Sequence, residues 1–239
     1  MAVMEKVQTA RQLRAEGKIK ESFELLKSSQ EKIHDSVLWQ HQPLFWADLK
    51  AGNCLLTRRR GSDAAFISEL WSDAEFVQRF HRMALRIPQQ QSELARVLNS
   101  EYVSLISDLN SLHWMVKDKQ GKAWGILSLT NISLSHKRAE VLLGVKADAP
   151  FGLATAAMLV LFRFYFEVLK FHKLYTLTFD DNAHPLRGVL HLGFKEEGRF
   201  REHFHDQSTG QFVDMVQAGL LAEEAFSAGN KRLMQRLLN

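Results

Sequence analysis

A run of small residues, Ala149-Pro150-Phe151-Gly152-Leu153-Ala154-Thr155-Ala156-Ala157, follows a strand-like segment, Arg138-Ala139-Glu140-Val141-Leu142-Leu143-Gly144-Val145. It opens an apolar helix reaching from roughly Ala154 to Leu169. Strand, small-residue turn and helix close compactly when the helix lies back on a sheet, so the segment demands an α/β arrangement. The same turn has a chemical consequence. The first backbone N–H groups of a helix have no partner within it, and the helix dipole adds positive charge there. Small side chains let an anion such as a phosphate come close.

The second half of the unit follows in order. Lys173-Leu174-Tyr175-Thr176-Leu177-Thr178-Phe179 reads as a strand leading to Asp181-Asn182. Leu186 to Leu192 makes a short helix before Gly193-Phe194. Phe200 to His205 and Gln211 to Gly219 supply two more strands. Upstream, Asn53–Arg58, His113–Lys117 and Trp124–Thr130 show strand character, with Lys119-Gln120-Gly121-Lys122 as a turn. The expectation is an α/β (α+β) fold, a mixed and mostly antiparallel sheet flanked by helices.

Helices precede and interrupt this core. Met4 to Ala15 places Val7, Ala10 and Leu13 at helical spacing, Gly17 interrupts, and Ile19, Phe23, Leu26 and Ile33 resume the period. One helical hairpin packed on the main domain is expected from this, with a single tetratricopeptide-like unit as the other reading. Trp39 and Trp46 are expected as packing anchors, and Pro43 opens a short helix ending near Lys50. Ser62-Asp63 caps a helix from Ala64 to Trp71, and Ser72-Asp73-Ala74-Glu75 forms a capping box before Phe76, Val77 and Phe80. Pro88 and Gln89 mark a loop, and Ser92 to Leu109 reads as one amphipathic helix. The chain divides into 1–50, an N-terminal helical extension; 51–221, the sheet domain; and 222–239, a C-terminal helix.

Composition limits the function classes. The single cysteine, Cys54, rules out an internal disulfide and a cysteine-rich metal site. His203-x-His205 would share a strand face, but no further ligands stand at zinc spacing, so no metal is expected. The net charge of +4 is spread along the chain, and Arg58-Arg59-Arg60, the one dense basic run, reads as a solvated loop end; no nucleic acid partner is expected. The apolar stretch from Met158 to Val168 is broken by Arg163 and too short to span a bilayer, and no apolar signal segment opens the chain. A cytoplasmic protein with no membrane partner is the expectation.

The ordered set Gly152-x-Ala154-Thr155, Asn182, Gly193-Phe194, Glu197-Gly198 and Arg201-Glu202 resembles the GNAT superfamily of acyl-CoA-dependent N-acetyltransferases. It looks most like the branch that acetylates ribosomal-protein N-termini and amino-sugar nucleotides. The resemblance covers about Asn53 to Leu221. It implies acetyl-CoA as co-substrate, with the pantetheine arm along the backbone of Leu143, Gly144 and Val145. It also implies the pyrophosphate on the N–H groups of Gly152, Leu153, Ala154 and Thr155, with Asn182 bonding the pantetheine or a nearby water. The loop carrying Phe80, His81 and Arg82 would shape the acceptor site. Two positions depart from the pattern: Ala149 stands where a Gln or Arg is usual, and Val189 where a tyrosine often protonates the leaving thiolate.

For the proton on the amine, Glu140 is the preferred base and His136 the second candidate, because a carboxylate in a partly apolar cleft has a raised pKa and imidazole titrates near neutrality. A strand-surface salt bridge is the alternative role of Glu140. Leu127 to Ile132 and His136 to Glu140 look similar to amino-sugar-nucleotide acetyltransferases, which points to a small amine acceptor, with a peptide or protein N-terminus as runner-up. A third reading, from Ala149 and Val189, is a domain that binds acyl-CoA without turnover and docks a protein partner through the N-terminal helices.

Overall fold

The protein is seen here in a computed structural model that describes residues 3–29, 34–80, 90–207 and 209–239. Ile33, His81, Arg82, Pro88 and Gln89, each given a place above, lie outside the described residues.

The chain opens with helices α1 (Val3–Ala15), α2 (Ile19–Lys27) and α3 (Asp35–Gln40). A hairpin of β1 (Leu49–Ala51) and β2 (Cys54–Arg58) leads to α4 (Ala64–Ser72), α5 (Ala74–Phe80), α6 (Gln91–Val103) and α7 (Ile106–Leu109). Then come β3 (Leu112–Asp118), β4 (Ala123–Ser133), β5 (Arg138–Val145), α8 (Leu153–Phe162), β6 (Lys173–Phe179) and α9 (Ala183–His191). The chain closes with β7 (Lys195–Asp206), β8 (Gln211–Leu221) and α10 (Ala228–Leu237). Among the described residues one eight-stranded sheet forms, in the order β1-β2-β3-β4-β5-β6-β8-β7. Its neighbours run antiparallel except β5 and β6, which are parallel. The mixed, mostly antiparallel α/β fold expected from the sequence is the one observed.

Strand alternation sorts the core into two layers. Trp114, Val116, Leu127, Leu129 and Val141 turn to one face and bury α8 against it. Met115 and Ile126 turn to the other and meet Ile67 and Leu70 of α4, Phe76 of α5 and Leu94 and Leu98 of α6. Helix α8 is apolar nearly all round because the layers around it leave it little contact with solvent. It continues as a π-helical turn, Arg163–Val168, instead of running as α-helix to Leu169. The wider turn buries three consecutive rings, Phe164, Tyr165 and Phe166, and the Tyr165 hydroxyl donates to the Lys173 carbonyl at 2.7 Å.

Other boundaries differ for identifiable reasons. The expected helix from Ser92 to Leu109 breaks at Ser104, whose backbone is extended. Two acceptors hold the second piece separately: Asp108 takes the Leu105 N–H and Gln40 the Ser107 N–H, at 3.2 and 2.9 Å. The helix expected to end near Lys50 is only a 3-10 turn, Pro43–Phe45, because Leu49–Ala51 pairs with β2. Asp63 does not cap α4; its carboxylate accepts from the Arg60 N–H at 3.0 Å. The C-terminal helix starts at Ala228, not Ala222, where the Ser227 hydroxyl accepts the Asn230 N–H at 3.3 Å. The basic run is not a solvated loop end. Arg58 is buried and donates to the Phe45 carbonyl at 2.7 Å, and Arg59 pairs with Glu101.

The N-terminal helices share a small apolar cluster of Ala10, Leu26 and Leu38. Their join to the sheet domain runs through Arg14, which is 3% exposed. Its guanidinium donates to the Val103 carbonyl at 3.0 Å and to His41 Nδ1 at 2.8 Å, and lies over the Trp46 ring. Trp46 in turn donates to the Tyr102 carbonyl at 2.6 Å. Burial, then the Arg14 charge, pushes the His41 pKa down from 6.5 to about 4. The unfolded chain takes up a proton near pH 6.5 that the folded chain refuses until about pH 4. Stability is therefore full above pH 6.5 and falls as pH drops toward 4. The loss attributable to this one group is on the order of 2–3 kcal/mol. Urea unfolding at pH 7.5 and pH 4.5 should show a drop in wild type that shrinks by about that amount in His41→Gln. An equal drop in both proteins would mean that His41 is not the group responsible.

Candidate functional site

Strands β5 and β6 pair only through Arg138↔Lys173, Ala139↔Leu174 and Glu140↔Tyr175. Beyond Glu140 they part. On its other side β5 stays paired with β4 as far as Val145, and β6 stays paired with β8 as far as Phe179. Among the described residues no strand ladder joins the facing edges, Val141–Val145 and Thr176–Phe179, although the Leu177 N–H on one of them donates to the Glu140 side chain. Between them opens a cleft of about 460 Å³. Thr155 and Met158 of α8 line it, Arg79 and Phe80 of α5 wall one side, and Asn182 with Val189 of α9 wall another. Unpaired strand edges bind an extended chain bearing amides by adding it to the ladder.

The head of α8 lies beside this cleft. Gly152 takes φ +81°, a conformation that glycine adopts at little cost, and the ladder begins with the Ala156 N–H donating to its carbonyl at 2.8 Å. Ala154 and Thr155 line the main cleft. Gly152 and Leu153 face a second recess of about 240 Å³ together with Asp118, Lys119 and Arg236. The Leu153 N–H already donates to the Pro150 carbonyl at 3.0 Å. The four residues grouped by the sequence thus divide between two sides of one helix start. Phe151 projects fully into solvent beside them.

Glu140 stands at the point where the strands part and is 5% exposed. Its carboxylate accepts from Asn131 Nδ2 at 2.7 Å, from the Thr130 hydroxyl at 3.5 Å and from the Leu177 N–H. Burial raises its pKa above the ordinary value, and these three donors oppose the shift only in part. Asn131 reaches the carboxylate from a left-handed backbone conformation, φ +49°, where the β4–β5 register slips. Burial, then the Glu140 charge, likewise raises the pKa of Tyr175, the register partner of Glu140. No salt bridge forms between Glu140 and Arg138 or Lys137 among the described residues. Among the described residues, Glu140 is the only acidic side chain lining the cleft.

Of the remaining predicted residues, Leu143, Gly144 and Val145 line the cleft on β5. Gly144 is required for packing as well: a Cβ there would stand 2.9 Å from both Phe76 and Phe80. Asn182 lines the cleft, and its Nδ2 donates to the Arg79 carbonyl at 2.9 Å, tying α9 to the end of α5. His136 sits exposed in the β4–β5 turn beyond the paired end of β5 and is not among the residues lining the cleft. His203 stacks on Phe200 and His205 on Phe212. Among the described residues no cluster of His, Cys, Asp and Glu is arranged to hold a metal, and no helix is long and apolar enough to cross a membrane. Burial raises the Cys54 thiol to about 12, so it stays protonated.

Polar residues of this region that sequence reasoning missed include Arg79, Ser128 and His113. Arg79 lines the cleft and pairs with Glu75. Ser128 lines it from β4, and His113 of β3 lies in register beside it. The signal for the last two was the period-2 alternation of the meander, which puts His113, Ser128 and Glu140 on one sheet face.

A family model described as an acetyltransferase (GNAT) domain matches residues 54–195. No curated protein sequence matches the chain. Among solved structures, a GCN5-related N-acetyltransferase from Brucella melitensis superimposes with a TM-score of 0.65 at 19% identity, over 80% of this chain and 86% of that one. The spermidine N-acetyltransferase of Vibrio cholerae, solved with CoA and spermine, superimposes with a TM-score of 0.62 at 20% identity, over 73% of this chain and 99% of that one. At these identities the likeness is one of fold. The family match, in contrast, takes in both strands that flank the cleft and the helix that opens beside it. The chain belongs to the GNAT acetyltransferases, enzymes that transfer an acetyl group to an amine.

Proposed function

We propose that the protein acetylates a small primary amine from acetyl-CoA by direct attack, with Glu140 as the base. The observation that carries this reading is the parting of β5 and β6 immediately after a buried carboxylate. The Leu143–Val145 edge suits the amides of a pantetheine arm, and the N–H groups of Ala154 and Thr155 suit a pyrophosphate. Glu140 takes a proton from the bound ammonium. The free amine then attacks the thioester carbon, the C–S bond breaks, and the products are an amide, CoA thiol and one proton. Asn182 keeps a part in this reading by holding the cleft wall through Arg79. His136 has no part in it.

The charge inventory narrows the acceptor. Among the described residues one acidic side chain lines the cleft, and Arg79 lies on its wall. Arg138, two residues from Glu140 on the same strand face, makes no salt bridge among the described residues and lies over the Tyr175 ring. An amine carried on an anionic body, as in an amino-sugar nucleotide, matches one carboxylate beside one free guanidinium. A protein N-terminus is the runner-up. A polyamine brings further ammonium groups that meet no carboxylate, each forgoing on the order of 1.5 kcal/mol, about a tenfold factor. With acetyl-CoA in excess, kcat/KM for spermidine should fall at least about tenfold below that for an amino-sugar nucleotide. Spermidine as the better substrate would overturn the acceptor assignment. Tight acetyl-CoA binding with no transfer to any amine would favour the binding-module reading instead.

A further inference from the structure

The polar pair His113 and Ser128 sits on an otherwise apolar stretch of the sheet. Its neighbours on this sheet face are Met115 and Ile126, both fully apolar and buried. A pair of aliphatic side chains would fill the same register without desolvating a hydroxyl and an imidazole. The pair is nonetheless tightly arranged. Ser128 is 8% exposed and lines the cleft, and its Oγ lies 2.8 Å from His113 Nδ1. His113 Nε2 lies 3.1 Å from Ser111 Oγ. Each hydroxyl can donate or accept, so either neutral tautomer meets both contacts; in one of them Nε2–H donates to Ser111 and Nδ1 accepts from the Ser128 hydroxyl.

The position relative to Glu140 is as specific. Ser128 pairs with Leu142 and Thr130 pairs with Glu140, so Ser128 and Glu140 are diagonal neighbours across β4 and β5. Such neighbours stand about 7–8 Å apart on one face, room for an amine between them. Among the described residues, several groups lie around His113. Arg59, one residue past the end of β2, donates its backbone N–H to the His113 carbonyl, and its side chain is paired with Glu101 of α6. Ser111 lies on its own strand end, Ser128 on β4, and Glu140 beyond Ser128 on β5.

Resting on the transferase reading, we infer that Ser128 and His113 form a proton relay that carries the second proton of the amine to the departing thiolate. An ammonium loses two protons on becoming an amide. Glu140 takes the first, before attack, and passes it to solvent. When the C–N bond forms, the nitrogen gives the second to Ser128 Oγ while the Ser128 hydroxyl proton moves to His113 Nδ1. When the C–S bond breaks, the imidazolium returns that proton through Ser128 to sulfur, and His113 is neutral again. One proton is released in sum, as the overall reaction requires. This supplies the thiolate with a donor in a cleft where Val189 offers none. Ser128 touches the reacting atoms and is catalytic; His113 acts through it and is a positioning residue.

The test compares wild type with Ser128→Ala, Ser128→Thr and His113→Gln on an amine that wild type acetylates. Ser128→Ala and His113→Gln should each lower kcat about 10²-fold with the KM for acetyl-CoA unchanged, and both should lose the same limb of the pH profile. Ser128→Thr, which keeps the hydroxyl, should recover most of the rate. Nitrogen-15 shifts of His113 in the wild-type protein should show Nε2 protonated and Nδ1 as acceptor. Full rate in Ser128→Ala, an equal loss in Ser128→Thr, or a proton resting on Nδ1 would each overturn the relay while leaving the transferase intact. A wild type that acetylates no amine would remove the transferase reading, and the relay with it.

Discussion

Glu140→Gln should lower kcat by about 10²–10⁴-fold at neutral pH, with acetyl-CoA affinity unchanged. The side chain keeps its size and one acceptor oxygen, so the loss isolates the proton-accepting role. Because burial raises the Glu140 pKa, the acid limb of the wild-type profile should lie above the ordinary carboxylate range, and the rate should climb as pH rises through it. The same shift has an opposite consequence for folding. A carboxyl whose folded pKa exceeds its unfolded value contributes stability that is full below the unfolded pKa and is lost as pH rises through the folded one. Glu140→Gln should therefore trade activity for a flatter dependence of stability on pH across that window. A variant as fast as wild type would take Glu140 out of the chemistry and leave it a buried polar residue of β5.

Gly125→Ala should be the most damaging small substitution in the sheet. Gly125 pairs with Val145, and a Cβ there would stand 2.1 Å from the Gly144 carbonyl oxygen and 2.7 Å from the Val145 Cα. Both obstacles are backbone, so no rotamer change relieves them, and β5 must move away from β4. The expected cost is about 3 kcal/mol, a fall of roughly 6–12 °C in Tm for a chain of this size. Acetyl-CoA affinity should fall further than stability alone explains, because the displaced strand is the one whose free edge borders the cleft. Gly198→Ala serves as the control: nothing stands within 4 Å of its Cβ, and its Tm should stay within a degree or two of wild type, by about 0.5 kcal/mol. Equal thermal shifts in the two variants would show that the β4–β5 contact is not tight.

Much of the architecture was legible because it is local. Alternation located the strands of the meander, and the small-residue turn before an apolar helix located the start of α8. The reading failed where a distant partner decided the outcome. Ser92 to Leu109 has one helical period throughout, but Gln40, far away in the chain, takes the Ser107 N–H and helps hold α7 as a separate turn. Arg58 looked like one more surface cation until the Phe45 carbonyl and the Trp114 ring surrounded it. Arg14 and His41 carry no sequence signal, because their pairing exists only once α1 meets the end of α6.

The site divides along the same line. Sequence by itself determined the strand, turn and helix unit and the family resemblance, since these depend on residue types at fixed short spacings, and it put Glu140 forward as the preferred base with His136 second. Only the tertiary structure decided that β5 and β6 separate right after Glu140, that Asn182 spans to Arg79, and that Ser128 and His113 meet beside the cleft. Those facts follow from register between strands and from the approach of α5. Both are set by which apolar faces bury each other across the whole sheet, and no short stretch of chain encodes that.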